Sequence, residues 1–212
     1  MSMVCLEDVE RALALSHFDS TQARQSMSPV PRGLRTMDGA PRQAAVLALL
    51  YLRSGGDLAI VLTRRRDDLR AHSGQISFPG GKRDPRDASF QETALRETQE
   101  ELGVPPQAVR LLGQLSETYI PPTHYNVHPF VGYADRLPPL RPNEAEVAEV
   151  LHLSLDVLLD PRTRQAETRL VRGFPVHVPY YLLEQAGQVH KIWGATAIML
   201  SELEARLRAV QS

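Results

Sequence analysis

Two apolar runs separated by a glycine turn place the strongest constraint on how this chain folds. The first extends from Ala44 to Leu52 with the sequence AAVLALLYL, and the second from Leu58 to Leu62 with the sequence LAIVL. Periodicity alone allows a buried helix in either run, because neither alternates between apolar and polar residues. The pair Gly55-Gly56 lies between them and favours a tight turn, so we predict two buried strands joined as a hairpin.

A second constraint is an acidic helix predicted over residues 87–102. Gly103 follows it at the position where a glycine commonly ends a helix in a left-handed conformation. With successive residues about 100° apart, Glu97, Glu100 and Glu101 project from one face, and a mostly apolar flank beside them can pack on a sheet. A solvated acidic face is the simplest interpretation. Three like charges within one turn repel each other, however, so a site for a hard cation such as Mg²⁺ or Mn²⁺ also fits.

The rest of the chain alternates predicted strands with predicted helices. Helices interleaved with strands are typical of a layered α/β (α+β) domain with a mixed sheet. We assign residues 1–40 to an N-terminal helix and an extended arm, and residues 41–212 to the main domain. The remaining elements are expected as strands over residues 109–115, 127–133 and 147–153, a helical turn over 155–159, a hairpin within 168–183 and a last helix over 195–210.

Composition excludes several classes of protein. The 212 residues suffice for one domain, and a net charge of -1 provides no overall positive field for nucleic acid or an anionic membrane. The single cysteine, Cys5, excludes an intramolecular disulfide framework and fits a reducing compartment. No apolar run is long enough to cross a bilayer, and the first residues do not resemble a signal peptide, so we expect a cytoplasmic protein. A homodimer formed through the arm or the last helix is compatible with the sequence.

Fixed spacings between glycines and charged residues point to a family. The signature of the Nudix hydrolases is similar to a pattern in this chain, namely Gly81, Asp87, Arg96-Glu97-x-x-Glu100-Glu101 and Gly103-Val104. Residues 61–81 and 192–197 resemble additional motifs of the coenzyme A diphosphatase subgroup. The resemblance covers roughly residues 43–200 and implies a Nudix-type α/β/α sandwich, in which a mixed sheet lies between helices.

The resemblance also implies a reaction, the hydrolysis of a pyrophosphate bond with Mg²⁺ or Mn²⁺ as cofactor. Divalent cations neutralise phosphate charge and lower the pKa of bound water. Glu97 and Glu101 are the implied primary metal ligands, and Glu100 supplies a third oxygen or acts through water. Arg96 orients one of these glutamates by a charge-assisted hydrogen bond. We therefore count Arg96 and Glu100 among the catalytic residues.

A base that activates water is expected from outside this helix. Glu146 is the candidate, because a carboxylate entering a strand can face the cleft, and Glu117 is the alternative. Either is also compatible with an ordinary surface acid. Two residues depart from the family pattern: Asp87 replaces the first expected glutamate, and Arg66 stands where the subgroup usually has a small residue. The first departure leaves Asp87 without an assigned role.

A small-molecule nucleotide, coenzyme A or a derivative, is the implied substrate. Its 3′-phosphate and pantetheine arm require extra cations and a groove, and Arg suits bidentate phosphate binding. The loop with Tyr119 and His124 to Asn126 is a candidate wall for adenine or for the arm, whereas His128, His152 and His177 have no zinc-like spacing and are interpreted as structural. The predicted substrate-binding residues are Arg64, Arg70, His72, Gly80, Gly81 and Lys82.

Three hypotheses follow from these motifs. The leading one is a coenzyme A diphosphatase that yields 3′,5′-ADP and 4′-phosphopantetheine. A broader nucleoside diphosphate hydrolase, acting on ADP-ribose or dinucleotides, is the alternative if Arg66 or the basic N-terminal arm alters the pocket. A catalytically silent Nudix-fold module that binds a nucleotide is the third, and the intact set of three glutamates argues against it.

Overall fold

The computed structural model describes residues 3–30, 39–68, 74–171 and 173–211. Within them lie five helices, namely α1 (Leu6–Leu13), α2 (Ser20–Gln25), α3 (Phe90–Leu102), α4 (Leu155–Leu159) and α5 (Gly194–Gln211). The same residues form eleven strands, namely β1 (Arg42–Leu52), β2 (Leu58–Arg65), β3 (Ile76–Ser77), β4 (Gly80–Lys82), β5 (Arg110–Gln114), β6 (Thr118–Ile120), β7 (Tyr125–Ala134), β8 (Val147–Ser154), β9 (Arg164–Val171), β10 (Phe174–Gln185) and β11 (Gln188–Trp193).

The two apolar runs form the predicted hairpin. β1 and β2 pair in antiparallel register, with Leu49 opposite Val61 and Leu52 opposite Leu58. Gly56 takes a φ of +87° in the connecting turn, a conformation that glycine adopts without steric cost. Both strands are almost continuously buried, which explains why neither shows alternating polarity.

The main sheet is mixed, as predicted. Its central order is β3-β2-β1-β7-β5, while β4 pairs with β1, β6 with β7 and β8 with β2. β1 and β7 run parallel, and the other pairings of this sheet are antiparallel. The predicted strands over 109–115, 127–133 and 147–153 correspond to β5, β7 and β8.

Helices cover both faces of this sheet. Successive side chains of β1 point to opposite sides, so they pack into two different apolar clusters. Leu47 and Leu49 join a buried apolar cluster with Ala94 and Leu102 of α3. The adjacent residues of β1 instead enter the larger cluster on the other face, to which α1, α4 and α5 contribute. The α/β/α sandwich is therefore confirmed, with α3 on one side of the sheet.

The acidic helix α3 begins three residues later than predicted. Ser89 is its N-cap, since its Oγ accepts a hydrogen bond from the backbone N–H of Glu92 at 3.1 Å. Asp87 consequently lies in the preceding turn and not in the helix. The predicted C-terminal end is confirmed, because Gly103 has a φ of +72° and ends the helix in a left-handed conformation.

A second, three-stranded sheet has the order β11-β10-β9 and packs beside α5. The predicted hairpin within 168–183 is present as β9 and β10, which pair from Val171 and Phe174 to Arg164 and Tyr181. Strand β11 and helix α2 were not predicted, and the segment 118–126, predicted as a loop, instead contains β6 and the start of β7. The last predicted helix is α5.

The N-terminal segment packs into the larger core. Val9 and Ala12 of α1 and Met27 after α2 are buried against the face that carries α5. The predicted extended arm includes residues 31–38, which lie outside the described residues, and the boundary after residue 40 stays a prediction. No helix in the described ranges combines the length and apolar character needed to cross a membrane.

Candidate active site

The glycine pair brings β4 against both β1 and α3. Gly81 lies opposite Ala45 of β1, and a Cβ atom added to Gly81 would sit 2.4 Å from Oε2 of Glu97. Gly80 has a φ of +150°, and an added Cβ there would lie 2.4 Å from the carbonyl oxygen of Ala45. Neither position has room for a side chain. The absence of side chains allows the Glu97 carboxylate to reach the backbone of β4.

Arg96 holds two of the glutamates from a fixed position. Its Nη1 donates to Oε1 of Glu97 at 2.9 Å and to Oε2 of Glu100 at 3.1 Å. Its Nε and Nη2 donate to the two carboxylate oxygens of Asp87, at 2.9 Å each. Asp87 thus fixes the planar guanidinium on one side, and the remaining nitrogen, Nη1, donates to the two glutamates.

Asp87 is the buried end of this ion pair. Its Oδ2 also accepts hydrogen bonds from the backbone N–H of Asp84 at 2.9 Å and from the Thr93 hydroxyl at 2.8 Å. The hydrogen bonds from Arg96 hold the pKa of Asp87 well below its usual range, and those from the Asp84 backbone and Thr93 add to the effect. Asp87 therefore stays ionised throughout the physiological pH range.

Glu101 is the electrostatically costly member of the cluster. Its Oε2 is buried and has no hydrogen-bond partner among the described residues. Burial, with the added charges of Glu146 and Glu97, raises the pKa of Glu101 to about 8, although the Gly80 N–H and Arg65 oppose the shift. Burying a carboxylate oxygen without a hydrogen-bond donor costs free energy unless a bound ligand interacts with that oxygen.

Glu146 reaches the same cleft from another element. It precedes β8, and its Oε2 lies 3.2 Å from Nη1 of Arg65 at the end of β2. Burial raises the pKa of Glu97. Arg96 opposes this rise, and the charges of Glu100 and Glu146 add to it. The structure thus brings Glu146 close to Glu97 and Glu101, as expected of the candidate base, while its catalytic role stays a prediction.

The loop before Glu146 is tied to the C-terminal end of α3. The backbone N–H of Asn143 donates to the carbonyl of Glu101 at 2.8 Å, and that of Arg141 donates to the carbonyl of Leu102 at 2.8 Å. The N–H of Glu146 in turn donates to the carbonyl of Asn143 at 2.9 Å. The position of Glu146 relative to Glu101 is therefore fixed by backbone contacts.

The predicted substrate-binding residues are only partly brought together. Arg64 pairs with Asp67 at 3.0 Å and with Glu149 at 3.4 Å, and its strand neighbour Arg65 faces Glu146 instead. Lys82 is exposed, and its carbonyl accepts a hydrogen bond from Arg96. Gly80 and Gly81 lie at the cleft, as described above. Arg70 and His72 lie outside the described residues, so their predicted contacts stay predictions.

Two contributors to the carboxylate cluster, Asp87 and Arg65, were not assigned to it from the sequence. The signal for Asp87 was present, since its carboxylate falls nine residues before Arg96 in a family pattern that expects an acid there. Arg65 was one of several basic residues in a row. Its Nε is buried without a partner among the described residues, so this part of the cleft has a donor as well as an acceptor left unpaired.

No three Asp, Glu, His or Cys side chains among the described residues already converge on a point suited to a metal ion. Arg96 takes up one oxygen each of Glu97 and Glu100, and Glu100 is 58% exposed. Mg²⁺ is usually held by one or two carboxylates together with waters and substrate phosphates, so a complete set of protein ligands is not needed. The predicted ligand set stays a prediction.

Comparisons with known proteins point to one family. The model of the family described as NUDIX domain matches residues 41–174. The chain is 38% identical to the uncharacterized Nudix hydrolase NudL of Photorhabdus laumondii, over 92% of this chain and 99% of that protein. It is 37% identical to the mitochondrial coenzyme A diphosphatase NUDT8 of Mus musculus, over 92% of this chain and 90% of that one.

Similarity to a solved structure supports the fold of the chain but does not assign its function. The MutT/nudix family protein from Enterococcus faecalis aligns with a TM-score of 0.52 and 16% identity, over 100% of this chain and 76% of that chain. The family match covers more than half of the residues, and both relatives align over nearly the whole chain. The chain belongs to the Nudix hydrolase family and is a pyrophosphohydrolase.

Proposed function

We propose that this protein is a divalent-cation-dependent hydrolase that cleaves the pyrophosphate bond of coenzyme A or a derivative into 3′,5′-ADP and 4′-phosphopantetheine, in the cytoplasm. The observation that carries the proposal is the buried, unpaired Oε2 of Glu101 beside Glu97 and Glu146. A buried, unpaired carboxylate oxygen with two further carboxylates nearby needs a positive charge that the described residues do not supply in full. A divalent cation meets that need.

The donor set fits a hard cation. Nudix hydrolases generally use divalent metals, and carboxylate oxygens are the ligands that Mg²⁺ and Mn²⁺ prefer. Glu97 and Glu101 would hold the ion, with Glu100 acting through water because it lies further out on the helix. When bound, the cation neutralises phosphate charge and makes water a better nucleophile.

The other residues of the cleft position the metal-binding glutamates, deprotonate the attacking water and bind phosphate. Arg96, clamped by Asp87, keeps one oxygen of Glu97 occupied and leaves the other directed at Gly81. Glu146 accepts the proton of the attacking water, since its charge acts on Glu97 and Glu101 and its side chain is 46% exposed. Arg65, whose Nε is buried without a partner among the described residues, is placed to donate to a phosphate oxygen.

Coenzyme A as substrate is supported by similarity to NUDT8 over nearly the full length of both chains. Residues 61–81 and 192–197 also carry the subgroup motifs. In this assignment Arg64 and Lys82, together with Arg70 and His72, bind the 3′-phosphate or the diphosphate. Arg64 can bind a phosphate group only if that group competes with Asp67 and Glu149 for the Arg64 guanidinium.

One observation favours the broader hydrolase as a second candidate. Arg66, where the subgroup usually has a small residue, donates to the carbonyl of Glu144 at 2.8 Å and pairs with Asp68 at 2.8 Å. Its backbone N–H also donates to the carbonyl of Glu146. The loop that carries the candidate base is thus shaped by a side chain that the subgroup lacks, which allows a different substrate.

The test is product analysis. The purified protein is incubated with coenzyme A and Mn²⁺, and the products are identified by mass, beside Glu101→Gln and the exposed control Glu184→Gln. We expect 3′,5′-ADP and 4′-phosphopantetheine from the wild type and the control, and a loss of turnover by orders of magnitude in Glu101→Gln. Turnover of ADP-ribose or a dinucleotide without these products would support the broader hydrolase. No turnover of any of them would support a silent binding module.

A further inference from the structure

A second cluster of polar side chains lies across β1 from the glycine pair. Gly81 is opposite Ala45, and Ala45 is opposite His128 of β7. Because Thr118 pairs with Val127, Glu117 falls opposite His128 in the next strand. Paired residues in a sheet point to the same face, so Glu117 and His128 share the α3 face with Gly81. His128 is two strand spacings, about 10 Å, from Gly81.

Helix α3 connects this cluster to the carboxylates. Phe90 lies seven residues before Glu97, which is nearly two turns, so both side chains project from the same flank of the helix. The Phe90 ring stacks on the His128 ring, with centroids 3.6 Å apart and an interplanar angle of 12°. The Arg83 guanidinium also lies over the Phe90 ring, 4.7 Å from its centroid. Glu97 and the His128 ring therefore lie along the same flank of α3.

The hydrogen bonds of His128 leave two acceptors facing each other. The side-chain amide of Gln43 is oriented by its Nε2, which donates to the carbonyl of Pro41 at 3.0 Å. Its Oε1 therefore faces Nε2 of His128 at 2.9 Å, and this ring nitrogen must carry the hydrogen. Burial lowers the pKa of His128 and Arg83 adds to this shift, although Glu117 opposes it, so the neutral ring is favoured. In the neutral ring Nδ1 has no hydrogen, and its lone pair faces Oε1 of Glu117 at 3.3 Å.

The backbone at Glu117 is held by a buried charge. Glu202 of α5 has no exposed surface, and its carboxylate accepts hydrogen bonds from the Ser116 N–H at 3.1 Å and the Ser116 hydroxyl at 3.0 Å. The other oxygen of Glu117 accepts a hydrogen bond from Nδ2 of Asn126 at 2.7 Å. The Arg206 guanidinium pairs with the Glu202 carboxylate at 3.0 Å, so the charge is compensated, and the arrangement fixes the backbone just before Glu117, whose side chain is 58% exposed.

We propose that Glu117 and His128 form a subsite for the amino group of a planar heterocycle, the adenine of the substrate, and that this amino group donates one hydrogen to each of the two acceptors. Tyr119 lies two residues further on the same face and is 43% exposed, which leaves its ring available to a base. A keto group at the same position would add a third acceptor and be rejected. This assignment rests on the proposed function, and it gives His128 a role beyond the structural one expected from the sequence.

The experiment compares coenzyme A with the analogue in which hypoxanthine replaces adenine. The ratio of kcat/KM for the two substrates is measured with Mn²⁺ in the wild type, in Glu117→Gln and in the exposed control Glu184→Gln. A glutamine amide can donate to the keto group, so we expect the adenine preference to fall about ten- to a hundredfold in Glu117→Gln, mainly through KM. Glu184→Gln should keep the wild-type ratio.

The outcomes separate this inference from the proposed function. An unchanged ratio in Glu117→Gln, or an equal loss for both substrates, would overturn the subsite. If the wild type does not cleave coenzyme A, the substrate proposal fails. The subsite is then tested by calorimetry with adenosine 3′,5′-bisphosphate and its inosine counterpart, which needs no turnover. Preferential binding of the adenosine compound that Glu117→Gln abolishes supports the subsite, and no preference in the wild type overturns it.

Discussion

Asp87 and Arg96 form a two-point ion pair in which Nε donates to Oδ1 and Nη2 donates to Oδ2, both at 2.9 Å. Asp87 is 4% exposed at its side chain and Arg96 is 27% exposed. Because both oxygens of the carboxylate are used, the plane of the guanidinium is fixed. Its Nη1 then lies between Glu97 and Glu100, so a residue outside the helix determines how the glutamates are oriented.

Substitution of Asp87 by Asn should destabilise the fold and disturb the site together. Removing one partner of a buried pair leaves the other charge uncompensated, and with Arg96 partly exposed we expect a loss of about 1 to 3 kcal/mol in the free energy of unfolding. Urea denaturation at pH 7 measures this loss. The exposed pair of Arg66 and Asp68 supplies the control, since Asp68→Asn should leave the denaturation midpoint nearly unchanged.

The pH dependence of the same variant has a defined sign. The pKa of Asp87 is lowered in the folded protein, so its contribution to stability is fully present above the ordinary pKa of an aspartate, near 3.8, and is lost as the pH falls below that value. The stability difference between wild type and Asp87→Asn should therefore be constant from pH 5 to 7 and shrink toward acid pH. A difference that grows on acidification would contradict the ion-pair assignment.

The two glycines of β4 should respond differently to alanine. In Gly81→Ala the three atoms nearest to the new Cβ all belong to the end of the Glu97 side chain, which can move, so we expect the fold to survive. Displacing a metal-binding carboxylate by about 1 Å should lower kcat about a hundredfold. In Gly80→Ala the Cβ meets backbone atoms of Ala45 and Val46, at a φ of +150°, so the fold itself should be destabilised.

Thermal unfolding and turnover, measured side by side, check this contrast. Gly55→Ala is the control, because Gly55 lies in the exposed hairpin turn and an added Cβ would meet only the Asp57 side chain, at 3.3 Å. Normal turnover in Gly81→Ala would show that Glu97 is not required in its present position.

The sequence predicts the glutamate face from local helical geometry, and it predicts the glycine contact from the resemblance to the family pattern. Helical periodicity places Glu97 and Glu101 together, and glycine permits close approach of the backbone. The clamp by Asp87 is a tertiary contact across a turn, and nothing in the helix period indicates it. The predicted start of α3 was wrong for a related reason. Ser89 is the N-cap, so Asp87 lies outside the helix.

The assignment of the arginines shows a second limit. Arg64 and Arg65 are neighbours in β2, so their side chains point to opposite faces of the sheet. Arg65 reaches Glu146, whereas Arg64 pairs with Glu149 and Asp67. Both faces of β2 are apolar and buried along most of the strand, so the pattern does not reveal which face carries α3. A register shift between the two residues further alters their directions.

Cation affinity should depend on pH through Glu101. Its pKa is raised to about 8, so in the absence of cation the carboxyl is largely protonated at pH 7, and binding must displace the proton. Mn²⁺ affinity should rise about tenfold per pH unit from pH 6 to 8 and level off above that value. Calorimetry in wild type and Glu101→Gln measures this slope, which the variant should lose.

The stability of the cation-free protein gives an independent measurement of the same group. A raised pKa for an acid means that ionisation is harder in the folded than in the unfolded state. Stability should therefore fall as the pH rises from about 5 to 8, by up to a few kcal/mol, and stay constant above. Glu101→Gln should flatten this profile in the presence of a chelator, and Mn²⁺ should restore stability to the wild type alone. A wild-type profile that is already flat would contradict the buried carboxylate.

Glu146→Gln tests the candidate base against its neighbour Glu144. Loss of a general base typically lowers kcat about 10²- to 10⁴-fold, and KM should change little because Glu146 is not expected to bind substrate phosphate. Glu144→Gln is the matched control, since its side chain is exposed and the loop contact to Arg66 uses its backbone carbonyl. The charge of Glu146 also raises the pKa of Glu101, so the pH profile of Mn²⁺ affinity should shift to lower pH in Glu146→Gln but not in the control. A shifted profile with full kcat would place Glu146 at the cleft without making it the base.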